Sequence, residues 1–433
     1  MGKWISQGRA IELTEYYDRL GGNIQAELGD DISRYKEKDG KLFSLPTTYG
    51  AFPSPYICAN LRYDWYLELG EPEFSTPEEY YEVLKKMVEL HPTNENGEKV
   101  YALSFNELVK IGHQMGPWGI MLDDGYKMND DNSLSHWLNT DEGLNACIWL
   151  NQVNLDGLYD PDAFINKYDD WKAKNVNNRF AGFLGPWWMT WNGGHEVWQT
   201  NDDWNPDQRF TQYMIKADNV PKSTMTGVST FSDRYTIITD KCKDPENVFK
   251  FIDFNSSPLG LRLSGWGAPN LEESTWEIDD EGNWNFKKEA YDEAIAGTID
   301  YEILEGKMGC RWFQLCKFSG EMRDGTGCVW NFNDNFVLLD PWKKLYCDNL
   351  ADAYYDSSAL AISFGADNIL TPVKQQLDDS IQTGYAKIIL SKSTDECIAN
   401  FNQLKESMNA SGLHDIEKYR TDSYREKLEA WGD

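Results

Sequence analysis

Three tryptophans fall together in Phe180–Gly194, which reads Phe-Ala-Gly-Phe-Leu-Gly-Pro-Trp-Trp-Met-Thr-Trp-Asn-Gly-Gly. Trp187, Trp188 and Trp191 each offer a flat, rigid, apolar face. The C–H face of a pyranose ring is the obvious flat partner. The preceding run, Phe180 to Leu184, has the length and composition of a buried strand. Gly185-Pro186 is expected to stop it, because proline cannot donate to a sheet ladder. In open α/β sheets, ligands bind in the crevice outside the carboxyl ends of strands, where this cluster would sit. A single tryptophan is more often core filler, since large aromatics dominate cores. The cluster as a whole favours ligand contact. At helical spacing Trp187 and Trp191 share a face and Trp188 does not.

Other chemistries find little support. Gly227-Val228-Ser229-Thr230-Phe231 fails the nucleophile-elbow pattern at its last position. His195-Glu196 lacks the second histidine of a zincin, and the nearest downstream histidine is His414. His195 reads as a surface or pocket-rim residue. Gly320 to Gly325 has P-loop spacing without the Lys-Ser/Thr that must follow, and Gly265-Trp266-Gly267 does not extend to a dinucleotide fingerprint. With 71 Asp and Glu residues, a carboxylate pair at glycosidase spacing is expected in any fold and is not specific. No catalytic residue and no cofactor is assigned. Asn94-Glu95-Asn96-Gly97 matches the third to sixth positions of a calcium loop, but Pro92 and Leu103 occupy the two anchoring positions. It reads as a polar turn between a helix and the strand Val100–Ser104, and no metal site is assigned.

Composition narrows the partners. The chain has 433 residues, 41% of them hydrophobic. That suffices for two cores of ordinary domain size. A formal net charge of -30 repels phosphate backbones and anionic membrane surfaces, so nucleic acid is excluded as a partner. The aromatic share of 14% needs a reason, and sugar binding is one; a large aromatic core is the other. None of the eight cysteines forms a C-x-x-C pair. A disulfide among Cys310, Cys316, Cys328 and Cys347 competes with the commoner reading of single buried thiols. No run of 18 apolar residues is present, and Met1–Gln7 lacks both a signal-peptide core and a myristoylation pattern.

The elements that must position these residues alternate between strand and helix. Residues 8–25 read as a helix and a turn ending in Leu20-Gly21-Gly22, and Lys41–Pro46 as a short strand after the Asp39-Gly40 turn. Thr76-Pro77-Glu78-Glu79 is a capping box with Pro at the first helical position, and Tyr80, Leu84, Met87 and Val88 form one apolar face. Thr140 starts a helix that turns Leu144, Cys147 and Ile148 inward. Tyr235–Thr239 is a β-branched strand, followed by a helix from Asp244-Pro245-Glu246 that buries Val248, Phe251 and Ile252. Trp276 to Trp284 reads as a hairpin around Asp280-Glu281-Gly282. Ser393-Thr394-Asp395-Glu396 caps a helix carrying Cys397, Phe401, Leu404 and Met408, and a last helix carries Tyr424, Leu428 and Trp431.

The order and spacing of several segments resemble the extracellular solute-binding proteins, family 1, of ABC-type carbohydrate importers, and most closely their lipid-anchored Gram-positive branch. The segments are Ile5–Tyr17, Asp39–Pro46, Leu61–Gly70 with the Thr76 helix, the Gly185-Pro186-Trp187 turn, Gly384–Leu390 and the two closing helices. The resemblance runs loosely over the whole chain. It implies an α/β, two-lobed fold of the periplasmic-binding-protein type II class, with a helical C-terminal region. Hinge crossings are expected near Tyr49, near Val228 and around Asp367–Pro372. One lobe would hold 1–50 and 229–366, the other 51–228 and 367–433. By position, Trp187 matches the aromatic that stacks on sugar, while Tyr49, Asn106 and Trp118 lie where the family lines its cleft; Trp266 is a further candidate. The implied function is a monomeric, non-enzymatic component that captures an oligosaccharide and delivers it to ABC-transporter permease subunits. The implied location is extracellular and lipid-anchored. Family members begin with a signal peptide, a lipidated cysteine and about two βα units, roughly 60 residues, and the match here starts after them. Two other functions are weighed beside this one. A carbohydrate-active enzyme would need a carboxylate pair across one cleft. The same fold binding a peptide or other small solute would need polar groups in place of stacked tryptophans.

Overall fold

The computed structural model describes residues 2–47 save 38, 57–120, 124–186, 188–221, 234–260, 368–431 and short stretches within 263–364. The chain divides into two compact units. The smaller holds 1–52, 231–344 and 430–433, and the larger 53–230 and 345–429. Tyr49 and Val228, where two crossings were expected, lie outside the described residues, as do Cys310, Cys316, Cys328 and Cys347. Cys147, Cys242 and Cys397 are free thiols.

In the smaller unit, Leu13, Leu42, Leu45, Ile238, Phe249 and Ile252 close a core around two short helices, Thr14–Leu20 and Gly22–Leu28. The helix expected within 8–25 runs over Thr14–Leu20 and ends, as expected, at Gly21, whose amide closes onto the Tyr17 carbonyl at 3.0 Å; a second helix, Gly22–Leu28, follows at once. Asp253 accepts from the Asn23 and Ile24 amides at 2.9 and 3.0 Å. A carboxylate thus meets the second helix where its amides lack partners. The strands expected over Lys41–Pro46 and Tyr235–Thr239 contract to Leu45–Thr47 and Arg234–Thr236, which pair antiparallel. Trp276–Ile278 and Trp284–Phe286 form the expected hairpin, with Gly282 at φ 83° in its turn. Pro245–Asn255 is helical and Asp244 caps it, accepting from the Asn247 amide at 3.2 Å. Its buried face differs from the expected one. Phe249 and Ile252 are buried, while Val248 and Phe251 are 39% and 50% exposed. Phe249 stacks on Tyr16 and draws that neighbouring face to the core.

The larger unit is built on a four-stranded sheet. Its strands are β1 (Ile57–Arg62), β2 (Tyr101–Leu103), β3 (Phe180–Pro186) and β4 (Phe210–Tyr213), in the spatial order β2-β3-β1-β4. β2 runs parallel to β3, and β1 runs antiparallel to both β3 and β4. All seven residues of β3 are buried, as a strand covered on both faces requires. The ladder passes through Gly185 and ends at Pro186, opposite Ile57. Proline is therefore the terminal rung and not a stop ahead of it; it serves as the last residue because nothing beyond it needs its missing N–H.

Helix α1 (Pro77–Leu90) packs on β3. Its capping box is formed as expected. The Glu79 amide donates to Thr76 Oγ1 at 3.2 Å, and the Thr76 amide to Glu79 Oε2 at 3.2 Å. Tyr80, Leu84 and Met87 are fully buried, each such side chain contributing about 1.5–3 kcal/mol. Helix α2 (Asp141–Leu155), capped by Thr140, packs on α4 (Thr371–Ile389) and α5 (Thr394–Ala410), while α3 (Tyr168–Val176) flanks the sheet. The last helix, α6 (Leu413–Trp431), buries Leu413, Ile416 and Tyr424. Asn151 of α2 ties the end of α4 by donating to the Ile389 and Ser391 carbonyls at 2.9 and 2.8 Å.

Close approach explains the glycine at the middle of β3. A methyl group on Gly182 would stand 2.6 Å from both the Asn60 carbonyl oxygen and the Tyr80 hydroxyl, and 2.9 Å from Leu84 Cδ2. Tyr80 donates to that same carbonyl at 2.6 Å, so neither partner can retreat without breaking a buried bond. Gly182→Ala is expected to destabilise the larger unit by about 1–3 kcal/mol, read as a lowered urea midpoint with an unchanged slope.

Candidate functional site

Sheet direction selects the edge where a ligand would bind. β2, β3 and β4 point the same way, so their carboxyl ends share one edge with the amino end of β1. Beyond β2 lies Asn106, and beyond β3 the tryptophan segment. Trp188 opens the short helix Trp188–Thr190, and Trp191 opens a π-helical turn, Trp191–His195, that leads to Glu196–Trp198. The α-helical phase that would pair Trp187 with Trp191 runs only from Trp188 to Thr190. Gly194 takes φ 145°, and a Cβ there would meet the Trp198 ring at 2.5 Å, so only glycine fits the turn. Trp187, Tyr49 and Trp266 lie outside the described residues.

Asn106 and Trp118 are both buried. The Asn106 Oδ1 accepts from the Leu108 amide at 2.9 Å, while its Nδ2 has no partner among the described residues. An unsatisfied buried amide costs about 1–3 kcal/mol. Trp118 is 2% exposed and sits in a 3₁₀ turn. Its ring lies 5.4 Å from Trp149 in an edge-to-face pair, the arrangement aromatic rings favour within a core.

Helix α3 supports both segments. On one side Lys174 donates to Asp160 at 3.1 Å, Asp162 at 2.9 Å and Asn166 at 2.9 Å. Asp160, 1% exposed, also accepts from Ser104 Oγ at 2.7 Å and Asn166 Nδ2 at 2.8 Å, and Asn166 Nδ2 reaches the Phe105 carbonyl at 3.2 Å. These bonds fix the backbone that carries Asn106. On the other side Trp198 Nε1 donates to the Val176 carbonyl at 3.0 Å, Lys172 pairs with Glu196, and Trp171 meets Phe183 edge-on at 5.2 Å. Arg62 completes the support. Its guanidinium lies 4.5 Å from the Trp65 ring and 4.6 Å from the Trp198 ring, and it grips Asp64 with two nitrogens. Such cation–ring and bidentate contacts are the stronger uses of an arginine. Neither Arg62 nor the Asp160–Lys174 network was singled out from the sequence. The Arg62-Tyr63-Asp64-Trp65 spacing carried a faint signal for the first; the second ties residues within 160–174 to Ser104 and Phe105, 56 and 61 positions away, which no local spacing signals.

His195 is buried, not at a surface or rim, and its ring lies 5.3 Å from Trp204. Burial first, then the nearby charge of Arg209, pushes its pKa down to about 3. Burial likewise pushes His136 to about 3, helped by the charges of Arg420 and Lys374. Both shifts favour the neutral imidazole in the folded chain.

Comparison with known proteins bears on the fold. No protein-family profile matches the sequence. The fructooligosaccharide ABC transporter substrate-binding protein FusA of Streptococcus pneumoniae is 21% identical over 300 residues, covering 65% of this chain and 53% of FusA. The chain thus spans about half the length of the curated relative it matches. The structure of FusA in complex with kestose aligns over 98% of this chain and 84% of FusA, with TM-score 0.65 and 17% identity. The chain has the fold of the two-lobed solute-binding proteins. An HMO-binding ABC-transporter-associated solute-binding protein from Bifidobacterium longum infantis aligns over 97% of this chain and 84% of its own, with TM-score 0.67 and 15% identity. Alginate-binding protein AlgQ2, in a structure without calcium ion, covers 98% and 83%, with TM-score 0.63 and 15% identity.

The two histidines set a pH dependence. An unfolded histidine binds a proton below about 6.5, whereas these two do so, when folded, only near about 3. The unfolded state therefore holds more protons between those values, and stability falls as pH falls through that window. Replacing His136 and His195 by asparagine is expected to flatten the fall by about 1.4 kcal/mol per pH unit for each histidine, measured by urea unfolding at a series of pH values below neutral.

Proposed function

We propose that this chain is the substrate-binding component of an ABC importer and that its ligand is an oligosaccharide. The observation that carries the reading is the tryptophan segment leaving the buried central strand at the edge where open α/β sheets bind ligands, in a chain with the solute-binding fold. FusA, similar in sequence and in fold, is named for fructooligosaccharide. In this reading Trp187 stacks on a sugar ring, with Trp188 and Trp191 beside it. Asn106 gives its Nδ2 proton to a hydroxyl. Trp118, Tyr49 and Trp266 complete the contacts, Trp118 by moving or by shaping the wall behind them. The full-length protein works as a monomer outside the cell, lipid-anchored, passes the sugar to permease subunits, and does not turn it over.

The test is a thermal-unfolding scan with a panel of neutral oligosaccharides, since a ligand of the native state raises the midpoint by mass action. One glycan class is expected to raise it and to be recovered intact. Trp187→Ala is expected to weaken that glycan by about 2 kcal/mol or more, roughly 30-fold, and Asn106→Ala by about tenfold, both by calorimetric titration. Recovery of cleaved glycan would establish an enzyme, and a midpoint that only peptides or other small solutes raise would establish another ligand class.

A further inference from the structure

Loop Thr93–Lys99 joins α1 to β2, and its Asn-Glu-Asn-Gly run matches part of an EF-hand-type calcium loop. Calcium takes six to eight oxygens, with carboxylates at the anchoring positions. The residues here do not fit that ion. Pro92 and Leu103 stand at the anchors, and Leu103 is a buried rung of β2. The side-chain oxygens of Asn94 and Glu98 are engaged within the protein. Asn94 Oδ1 accepts from the Asn96 and Glu98 amides at 3.1 and 2.8 Å. Glu98 Oε2 accepts from Asn94 Nδ2 at 2.9 Å, and its Oε1 from Arg179 at 3.0 Å. Among the described residues no group of three or more His, Cys, Asp or Glu side chains is placed to hold a metal ion.

Positive charge is nevertheless present, supplied by side chains. Arg179 Nε donates to the Lys99 carbonyl at 2.7 Å, and Lys99 Nζ to the Gly157 carbonyl at 2.7 Å. Asn94 Nδ2 also reaches the Asn177 carbonyl at 2.8 Å. The loop is thereby tied to the residue before β3, to the turn after α2 and to the end of α3. Arg179 holds β2 through its backbone as well, since its carbonyl accepts from the Tyr101 amide at 2.9 Å. Two fixed cations at the loop also oppose a third.

We propose that Arg179, with Lys99, takes the place of a divalent cation in this loop, so that the pairing of β2 with β3, and with it the position of Asn106, needs no calcium. The full chain would be unfolded thermally in millimolar EDTA and in millimolar calcium chloride. The midpoint is expected to stay within about 1 °C, whereas a loop that bound calcium well above its Kd would shift it by several degrees. Arg179→Gln is expected to lower the midpoint equally in both media. A calcium-dependent rise in the wild-type chain that Asn94→Ala abolishes would overturn the proposal. A rise that survives Asn94→Ala arises elsewhere and upholds it for this loop. An Arg179→Gln variant as stable as the wild type would also overturn it.

Discussion

The larger unit depends on one strand that is buried on both faces and paired on both edges. Phe180–Pro186 accepts β2 on one side and β1 on the other. Tyr80 and Leu84 of α1 press so close to it that Gly182 has no room for a side chain. Because β3 is central, its direction decides which sheet edge collects carboxyl ends, and therefore where the tryptophan segment and Asn106 emerge together. Displacing this strand by one residue would exchange its two faces and set Phe183 against the side that only glycine can occupy.

Two segments meeting at a sheet edge still need to be held, and a single helix holds both. Tyr168–Val176 reaches the Asn106 loop through Lys174 and Asp160, and the tryptophan segment through Trp171 and the Val176 carbonyl. One attachment is a buried ion pair whose carboxylate is fully hydrogen-bonded, which is the condition under which a buried charge is tolerated. The other is apolar packing closed by an indole hydrogen bond. Arg62, between Trp65 and Trp198, adds a cation sandwiched by rings. Much of the aromatic content therefore goes into the scaffold behind the candidate site.

Legibility from the sequence followed the range of the interactions. Thr76, Thr140, Asp244 and Ser393 cap the helices they were expected to cap, because a cap is decided within four residues. The apolar stripe Tyr80, Leu84, Met87, Val88 faces the core for the same reason. Of the expected stripe Val248, Phe251, Ile252 only Ile252 is buried, because Phe249 lies on an adjoining face of that helix and Tyr16, far away in sequence, settles which face is covered. His195 misled in the same way: nothing near it in sequence says that Trp204 will cover its ring.

By itself the sequence determined the strand-and-helix alternation, the capped helix starts, the buried run Phe180–Leu184 with tryptophans after it, and a strongly acidic net charge. Each of these rests on a neighbour a few residues away or on a sum over the whole chain. Only the tertiary structure decided that β2 lies beside β3 in parallel, that the buried Asn106 Nδ2 has no partner among the described residues, and that Arg179 closes the Thr93–Lys99 loop. Those outcomes join residues far apart along the chain. The bonds that make them form once the sheet has brought the segments within reach, and no local spacing encodes that meeting.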